Sequence, residues 1–213
     1  MKLHGLAVSN YYNIAKLALL EKQLEFEEIH SPPSKEAEFL IHSPMGKVPY
    51  LQHEDFFVSE SQAILFYLEL FQPHPRLYPH DPKIAARAQQ IHQFVDLYVD
   101  PPARSLLAAA FFSAPVTEEA ISAVAADLKN NVRALSQIVQ FSPYIAGPEL
   151  SHADLAAVMT FRFCQSVMER LQGPDPLTAL PGVGAYLQMM SERPSCRKTF
   201  ADQQSALEKL DRR

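Results

Sequence analysis

The most informative part of the chain reads Met45-Gly46-Lys47-Val48-Pro49-Tyr50-Leu51. Proline has no main-chain N–H group, so a strand that begins at Val48 tolerates Pro49 only near its start or at an exposed edge. The bond before Pro49 is a candidate for the cis form, because trans is favoured by only about 0.5 to 1 kcal/mol there. A cis bond would turn the N–H and C=O groups of Val48 outward, where an extended peptide could pair with them. A plain turn proline beside Gly46 is the alternative interpretation.

A second stretch, Val58-Ser59-Glu60-Ser61-Gln62-Ala63-Ile64, favours the peptide-binding interpretation. Apolar residues at helical spacing follow it, so Ser61 is predicted to lie in the first turn of a helix. The Ser61 hydroxyl and the free N–H groups of that turn suit a carboxylate, and Glu60 suits an ammonium group. Side by side, these two receptors match the free α-amino acid end of a peptide. A serine that only caps the helix is the alternative.

These two stretches, with Tyr67-Leu68 after them, resemble the N-terminal domain of the cytosolic glutathione transferases. In that family the proline is cis, the residue before it pairs with the cysteinyl backbone of glutathione, and the Glu-Ser pair holds the γ-glutamyl end. The resemblance therefore implies that Val48, Pro49, Glu60 and Ser61 bind glutathione as a co-substrate.

Two lysines are candidates for binding the glycine carboxylate of glutathione. Lys47 directly precedes Val48, and Lys35 lies fourteen residues before Pro49, where phi-type enzymes also have a basic contact. The alternative is that both are solvated surface lysines.

The order of the elements predicted up to Phe71 indicates a thioredoxin-like α/β domain of the form βαβ, α, ββα. The pattern predicts strands at Leu3–Val8, Leu24–His30, Val48–Leu51 and Phe56–Val58, and helices at Tyr11–Lys22, Lys35–Ile41 and Ser61–Phe71. An irregular loop is the alternative for Lys35–Ile41. The first two strands are joined through a helix, so they are expected to be parallel.

Prolines crowd the segment from Gln72 to Pro82, which predicts a linker, and no strand pattern follows it. The predicted domains are residues 1–74, a linker at 75–82 and an all-α helical domain at 83–213. The helices expected there are Lys83–Phe112, interrupted or kinked at Pro101-Pro102, then Thr117–Phe141, Leu155–Leu171, Leu180-Pro181 to Arg193-Pro194, and Ser195–Leu210.

Ser151 and Asp154 have the spacing of a capping box ahead of an apolar helix. After Tyr144-Ile145-Ala146-Gly147, this box resembles a buried helix start of the same family. We interpret it as structural, and its loss is expected to cost about 1 kcal/mol or somewhat more.

A cysteine-like thiol has a pKa near 8.5 and its thiolate is the nucleophile, so an enzyme that uses glutathione must stabilise an anion. Ser9 is the predicted catalytic residue, because its hydroxyl lies at the junction of the first strand and the first helix. Serine-type relatives, among them the phi and tau classes, have their activating serine at this junction. A simple helix N-cap is the alternative role for Ser9.

Other classes of the family match less well at this junction. In tyrosine-type relatives the activating tyrosine lies upstream of the positions of Tyr11 and Tyr12, so the resemblance does not give these two residues that role. Beta and omega relatives have a cysteine near the positions of Asn10 and Tyr11, and this chain has none there. The Ser-Ser-Cys run of zeta-type isomerases is replaced by Ser9-Asn10-Tyr11, which weakens an assignment as a maleylacetoacetate isomerase.

An electrophile is expected to bind in a crevice between the domains. Candidates for the wall of that pocket are Tyr11, Tyr98, Arg104, Phe111 and Phe112. The alternative is that the aromatic residues, which recur at helical spacing, belong to the core.

The composition argues against several other kinds of protein. Lys and Arg number 19 against 24 Asp and Glu, so the net charge of −5 predicts no nucleic-acid partner. The eight histidines have no metal-binding spacing, and no metal is expected. No apolar run is long enough to span a bilayer and no signal peptide is evident, which favours the cytoplasm. Cys164 and Cys196 are expected to be reduced and structural.

The residues and the resemblance together predict a glutathione S-transferase that conjugates glutathione to a small hydrophobic electrophile in detoxification. The resemblance also implies a homodimer. Two alternatives stay open: a non-catalytic member of the fold that binds glutathione or a protein partner, and a zeta-like glutathione-dependent isomerase.

Overall fold

A computed structural model describes residues 1–211 of the chain. The chain forms two compact units, one of Met1–Leu77 together with the segment from Ser191 onward, and one of Tyr78–Met190. The first unit contains the β-sheet and the second is helical, so the thioredoxin-like α/β domain and the helical domain are confirmed. Contacts group the last helix with the first unit, whereas the domain limits at 74 and 83 follow chain order and stay a prediction.

The N-terminal unit is built around a mixed four-stranded sheet. Its elements are β1 (Lys2–Gly5), α1 (Asn10–Glu21), β2 (Glu27–His30), α2 (Ala37–His42), β3 (Tyr50–His53), β4 (Phe56–Ser59) and α3 (Ser61–Phe71). The strand order is β2-β1-β3-β4, with β1 and β2 parallel, as predicted, and the other two pairs antiparallel. Side chains alternate between the faces of a sheet: Leu3 and Leu51 are fully buried, whereas His4 and Tyr50 stack at 4.3 Å between ring centroids.

Strand β1 is shorter than the predicted Leu3–Val8, because it ends at Gly5. The chain turns directly after this strand, and the N–H of Ser9 donates to the C=O of Leu6 at 2.9 Å. Leu6, Ala7 and Val8 are therefore a turn between β1 and α1 rather than part of the sheet.

Two further predictions about this unit are corrected by the structure. The strand expected from Val48 begins at Tyr50, because Pro49 has no N–H group for the ladder. The strand expected from Leu24 begins at Glu27. The segment Lys35–Ile41, for which a helix and an irregular loop were both considered, forms the helix Ala37–His42.

Helices make up the regular structure of the rest of the chain. They are α4 (Pro82–Phe94), a π-helical turn (Val95–Val99), α5 (Asp100–Ser105), α6 (Leu107–Phe112), α7 (Glu118–Leu135), α8 (His152–Arg170), a 3-10 turn (Pro176–Ala179), α9 (Val183–Glu192) and α10 (Pro194–Asp211). Helix α8 is the centre of the helical unit, since every residue from 153 to 161 is fully buried. The helical pattern predicted for Lys83–Phe112 is observed, and it is interrupted next to Pro101-Pro102 as predicted, since the π-helical turn ends at Val99 and α5 begins at Asp100. Both prolines lie in the first turn of α5, where the missing N–H of a proline costs little.

The capping box of Ser151 and Asp154 is confirmed, and it begins α8 at His152 rather than at Leu155. The Asp154 carboxylate accepts the N–H of Ser151 at 2.8 Å, the N–H of Ile145 at 2.8 Å and the hydroxyl of Tyr186 at 3.1 Å. Asp154 itself is fully buried. One carboxylate thus joins the start of α8, the loop before it and α9.

Ion pairs hold α10 against α1 within the N-terminal unit. The ammonium group of Lys16, which is fully buried, lies 2.7 Å from Glu28 and 2.7 Å from Asp202. Arg193 donates to Glu21 at 2.6 and 2.9 Å. Position 202 is 186 residues from Lys16 in sequence, and no local pattern predicts this contact.

Candidate functional site

The register of the sheet brings the two informative stretches together. In the antiparallel pairs Tyr50 lies opposite both Ser59 and His4. One residue beyond these pairs are Pro49, Glu60 and Gly5, at the same edge of the sheet. The site predicted from sequence therefore has a structural basis: three chain segments that are distant in sequence meet at one edge.

The loop before β3 carries the predicted cis bond. The peptide bond between Val48 and Pro49 is cis, as expected from the sequence. Gly46 has φ of +66°, and a Cβ atom there would collide with the C=O of Ser34, so this position requires glycine. The Ser43 hydroxyl donates to the C=O of Lys47 at 2.7 Å. Local hydrogen bonds and a glycine turn therefore hold Val48 in place.

The two candidate lysines have different roles around this loop. The Lys35 ammonium group donates to the C=O of Met45 at 2.8 Å, so it supports the loop that precedes Val48. Lys47 is exposed, and among residues 1–211 its side chain has no hydrogen bond or ion pair. Lys47 is consequently the more available cation for a carboxylate, although an ammonium group has three donors and Lys35 keeps two.

Glu60 and Ser61 form the junction of β4 and α3. Glu60 is exposed and has φ of +68°, a backbone conformation that costs a non-glycine residue of order 1 to 3 kcal/mol. Its carboxylate makes no capping bond to α3, so it stays available to a ligand. Ser61 is the first residue of α3 and is 7 % exposed. Strained backbone beside free helix N–H groups is typical of a ligand site.

Ser9 is the N-cap of α1, which is the alternative role considered from sequence. Its hydroxyl oxygen accepts the N–H of Tyr12 at a long 3.3 Å. A hydroxyl also has one donor. The cap uses only the Ser9 oxygen as an acceptor, so the O–H group can still donate a hydrogen bond to a thiolate. Sequence reasoning missed Asn13, which is fully buried and donates to the C=O of Ala7 at 2.8 Å. Asn13 fixes the turn that precedes Ser9. The sequence signal that could have identified this role is a polar residue one helical turn after the predicted cap.

Tyr12 has a structural role within the N-terminal unit. Its ring is buried and its hydroxyl donates to Glu28 at 2.7 Å. Burial, together with this bond, raises the pKa of Tyr12 well above its ordinary value. Tyr11 lies on the first turn of α1 and is half-buried.

The other candidates for an electrophile pocket lie in the helical unit. Arg104 binds Asp100 through two hydrogen bonds of 2.5 and 2.7 Å and lies over the ring of Phe163 at 4.8 Å. The guanidinium carbon of Arg170 lies 4.5 Å from the centroid of the Phe111 ring. Tyr98 and Phe112 are 50 % and 61 % exposed. Arg104 and Phe111 are therefore engaged within their own unit, and the assignment of all five residues to a pocket stays a prediction.

Two structural findings bear on other kinds of site. Among residues 1–211 there is no group of three or more His, Cys, Asp or Glu side chains placed to hold a metal ion. In the same part of the chain, every helix is too short or too polar to cross a membrane. Cys164 and Cys196 are buried free cysteines, as predicted, and burial raises the pKa of the Cys164 thiol.

Comparison with known proteins identifies the family. Residues 3–76 match the family model for the glutathione S-transferase N-terminal domain. A glutathione S-transferase of Pseudomonas putida is 37 % identical over 207 residues, which cover 97 % of this chain and 94 % of that protein.

The fold agrees with this identification. The crystal structure of poplar glutathione transferase F1 superposes with a TM-score of 0.81 at 23 % identity, over 96 % of this chain and 98 % of that one. The structure of a bacterial maleyl pyruvate isomerase, a zeta-class glutathione S-transferase, superposes with a TM-score of 0.76 at 20 % identity, over 93 % of this chain and 96 % of that one. The sheet edge with a cis Val48–Pro49 bond, Glu60 and Ser9 is thus found in a chain that belongs to the glutathione S-transferase family.

Proposed function

We propose that the protein is a glutathione transferase in which the Ser9 hydroxyl donates a hydrogen bond to the glutathione thiolate. The observation that carries this proposal is the meeting of three segments at one sheet edge: the cis Val48–Pro49 bond, the Glu60–Ser61 junction and the turn before Ser9. The alternatives of a non-catalytic member and of a zeta-like isomerase have no specific observation in their favour.

Each segment has a role that its chemistry supports. The main chain of Val48 pairs with the cysteinyl part of glutathione in the manner of an added strand. Ser61 and the free N–H groups of α3 bind the γ-glutamyl carboxylate, and Glu60 binds its ammonium group. Lys47, with Lys35 as a second cation, binds the glycine carboxylate. Pro49 supplies the turn that exposes Val48.

The energy required of Ser9 is within the range of a single hydrogen bond. Lowering a thiol pKa of about 8.5 by two units takes about 2.7 kcal/mol. A hydrogen bond to a charged group contributes about 1.5 to 3 kcal/mol, and the free N–H groups at the start of α1 add a smaller favourable field. A serine hydroxyl is therefore sufficient to make the thiolate the main species at neutral pH.

The test is a titration of the bound thiol by its ultraviolet absorbance, with glutathione affinity measured by calorimetry. In the wild type we expect a pKa near 6.5 for bound glutathione, from the shift of about two units above. Ser9→Ala should return the pKa towards 8.5 and lower turnover at neutral pH by ten-fold or more, with little change in affinity.

The matched control is Ser9→Gly, because glycine is tolerated at an N-cap at a cost of only a few tenths of a kcal/mol. It removes the hydroxyl and leaves the helix start. If Ser9→Gly kept the lowered thiol pKa, Ser9 would be a cap only and another group would activate the thiol. If the wild type did not bind glutathione, the proposed function itself would be wrong.

We also propose that the enzyme is a homodimer that works in the cytoplasm. The exposed apolar side chains of β4 and α3, Phe56, Phe66, Leu70 and Phe71, are between 48 % and 65 % exposed and form a candidate contact surface. A reducing compartment suits the free cysteines at 164 and 196.

A further inference from the structure

Two buried polar residues of α1, Tyr12 and Lys16, have no part in the mechanism proposed above. Tyr12 is 2 % exposed and Lys16 is fully buried. Both donate to the same atom, since the Tyr12 hydroxyl and the Lys16 ammonium group each lie 2.7 Å from Oε2 of Glu28. Buried polar groups are costly unless their hydrogen bonds are made. The first turns of α1 are therefore tied to one carboxylate oxygen.

The Glu28 carboxylate is itself held in place. Glu28 belongs to β2, where the register of the sheet pairs it with Leu3 of β1. The Lys16 ammonium group that binds Glu28 also donates to Asp202 of α10 at 2.7 Å. Strand pairing and a shared buried cation thus fix the acceptor to which the Tyr12 hydroxyl donates.

The ring of Tyr12 is confined on its other side by the end of β1. A Cβ atom added at Gly5 would lie only 2.5 Å from Cδ2 of this ring, so the ring packs directly on the main chain at Gly5. At the same residue, the main-chain N–H group donates to the hydroxyl oxygen of Ser9 at 3.3 Å. Tyr12 consequently connects the end of β1 and the carboxylate of Glu28 to the Ser9 hydroxyl.

The bond between the Tyr12 N–H and Ser9 is long, since the usual N···O distance is about 2.9 to 3.0 Å. The Ser9 side chain has several staggered rotamers, and the location of this N–H group influences which of them it adopts. A donor that stabilises an anion is effective only when it is oriented before the reaction. A displacement of about 1 Å can cost about a hundred-fold in rate. The position of Tyr12 is therefore important for the contact assigned to Ser9.

We propose that Tyr12 is a positioning residue: its bond to Glu28 holds its N–H group where this group orients the Ser9 hydroxyl towards the glutathione sulfur. Tyr12 itself does not touch glutathione, and Lys16 acts one step further away by fixing Glu28. Burial and the bond to Glu28 raise the pKa of Tyr12, so its hydroxyl stays protonated and keeps donating at the pH of the reaction. This inference rests on the proposed transferase function and deepens it.

The test is Tyr12→Phe, which removes the hydroxyl and keeps the ring that packs on Gly5. Glu28 keeps its bond to Lys16 in this variant. We expect the pKa of the bound glutathione thiol, titrated by its ultraviolet absorbance, to rise by about one unit, half of the shift required of Ser9. Glutathione affinity measured by calorimetry should change little.

The pH profile separates this role from a merely structural one. At about pH 6.5, turnover of Tyr12→Phe should be about five-fold lower than that of the wild type, because a smaller fraction of the bound thiol is ionised. At about pH 9 the thiol is ionised in both proteins, and turnover of the variant should not be lower. Loss of turnover by the same factor at both pH values would contradict the inference.

Tyr186→Phe is the matched control. The Tyr186 hydroxyl is also buried and also donates to a carboxylate, that of Asp154 at 3.1 Å, within the helical unit. Its removal should lower stability but leave the thiol pKa and the pH profile of turnover as in the wild type. An equal rise of the thiol pKa in Tyr186→Phe and Tyr12→Phe would refute a specific role of Tyr12.

A double-mutant cycle with Ser9→Ala shows whether Tyr12 acts through Ser9. Tyr12→Phe should not raise the thiol pKa any further once the Ser9 hydroxyl is absent. If Tyr12→Phe had no effect on the thiol pKa, or the same effect with and without that hydroxyl, the inference would be overturned while the transferase function stood. If Ser9→Ala alone left the thiol pKa lowered, the proposed role of Ser9 would be wrong, and the positioning role with it.

Discussion

At the residue scale, the helix cap observed at Ser9 is compatible with the catalytic contact proposed for the same hydroxyl. As an N-cap it uses an oxygen lone pair, at a distance of 3.3 Å from the N–H of Tyr12. As a thiolate donor it uses its proton, which the cap leaves free. The sequence could not decide between these two roles because both need a small hydroxyl residue at the start of a helix. The structure shows the cap, and the thiolate contact stays a proposal.

A buried histidine pair at the residue scale predicts a specific sensitivity to acid. In the helical unit the Nδ1 atoms of His92 and His152 are 2.8 Å apart, and both rings are fully buried. Tyr78 stacks on His152 at 4.1 Å, and the Asp96 carboxylate lies 3.5 Å from Nε2 of His92. Burial lowers the pKa of His92 from 6.5 to about 4 and that of His152 to about 3. Both rings are therefore neutral in the folded protein at neutral pH.

Stability should fall as the pH drops from about 6.5 towards 4, because the unfolded histidines bind protons that the folded pair does not. Above pH 6.5 this contribution is fully present, and at pH 4.5 we expect about 2 to 3 kcal/mol to be lost for His92 alone. The measurement is urea unfolding of wild type and His92→Gln across this range. The free energy of unfolding of His92→Gln should be lower than that of the wild type at pH 7.5, but it should decrease by less than that of the wild type when the pH is lowered.

His80 provides the control, since it is exposed and His80→Gln should follow the wild-type curve. An acid loss of equal size in wild type and His92→Gln would mean that other groups cause it.

At the scale of the element, the start of α8 is stabilised by more than a local cap. The expected cost of about 1 kcal/mol assumed that Ser151 and Asp154 satisfy only each other. The structure adds the N–H of Ile145 and the hydroxyl of Tyr186 to the same buried carboxylate. Asp154→Ala leaves these donors without partners in the interior, and each such group costs about 1 to 3 kcal/mol.

We therefore expect Asp154→Ala to lower the free energy of unfolding by about 3 kcal/mol or more, and Ser151→Ala by about 1 kcal/mol. Urea unfolding at pH 7.5 measures both variants, with glutathione turnover per folded molecule as the second readout. Turnover should be unchanged, because neither residue lies at the sheet edge that forms the site. Equal losses of stability in the two variants would show that the contacts to Ile145 and Tyr186 contribute nothing.

At the scale of the whole molecule, the exposed apolar surface of β4 and α3 predicts the state of association. Phe66 and Leu70 lie one turn apart on α3 and are 55 % and 65 % exposed. A Phe66→Glu, Leu70→Glu double variant should convert the proposed dimer to a monomer, since charges are costly in the core of an interface. Sedimentation velocity measures this. Ile41→Glu, at a 76 % exposed position on α2, should leave the dimer intact, and a monomeric wild type would refute the prediction.

Much of the site was readable from the sequence because its signals are local. A proline after Gly-Lys-Val, a Glu-Ser pair before a helical pattern and a serine at a strand–helix junction each restrict the backbone within a few residues. These signals predicted the cis bond at Pro49 and the helix start at Ser61, and both are observed. The cap at Ser9, which was one of the two roles considered from the sequence, is observed as well. Element limits were less accurate, since hydrogen-bond partners distant in sequence decide where a strand ends.

Local patterns by themselves thus determined the order of strands and helices, the thioredoxin-like and helical parts and the short motifs of the site. Only the tertiary structure decided which polar residues are buried. Lys22, at the end of the first helical pattern, is fully buried and donates to Glu69 at 2.6 Å and to the C=O groups of Gln72 and Pro75. A lysine can be buried only where an anion and carbonyl groups compensate its charge. Those partners come from segments about fifty residues away in sequence, and it is folding that brings them to Lys22.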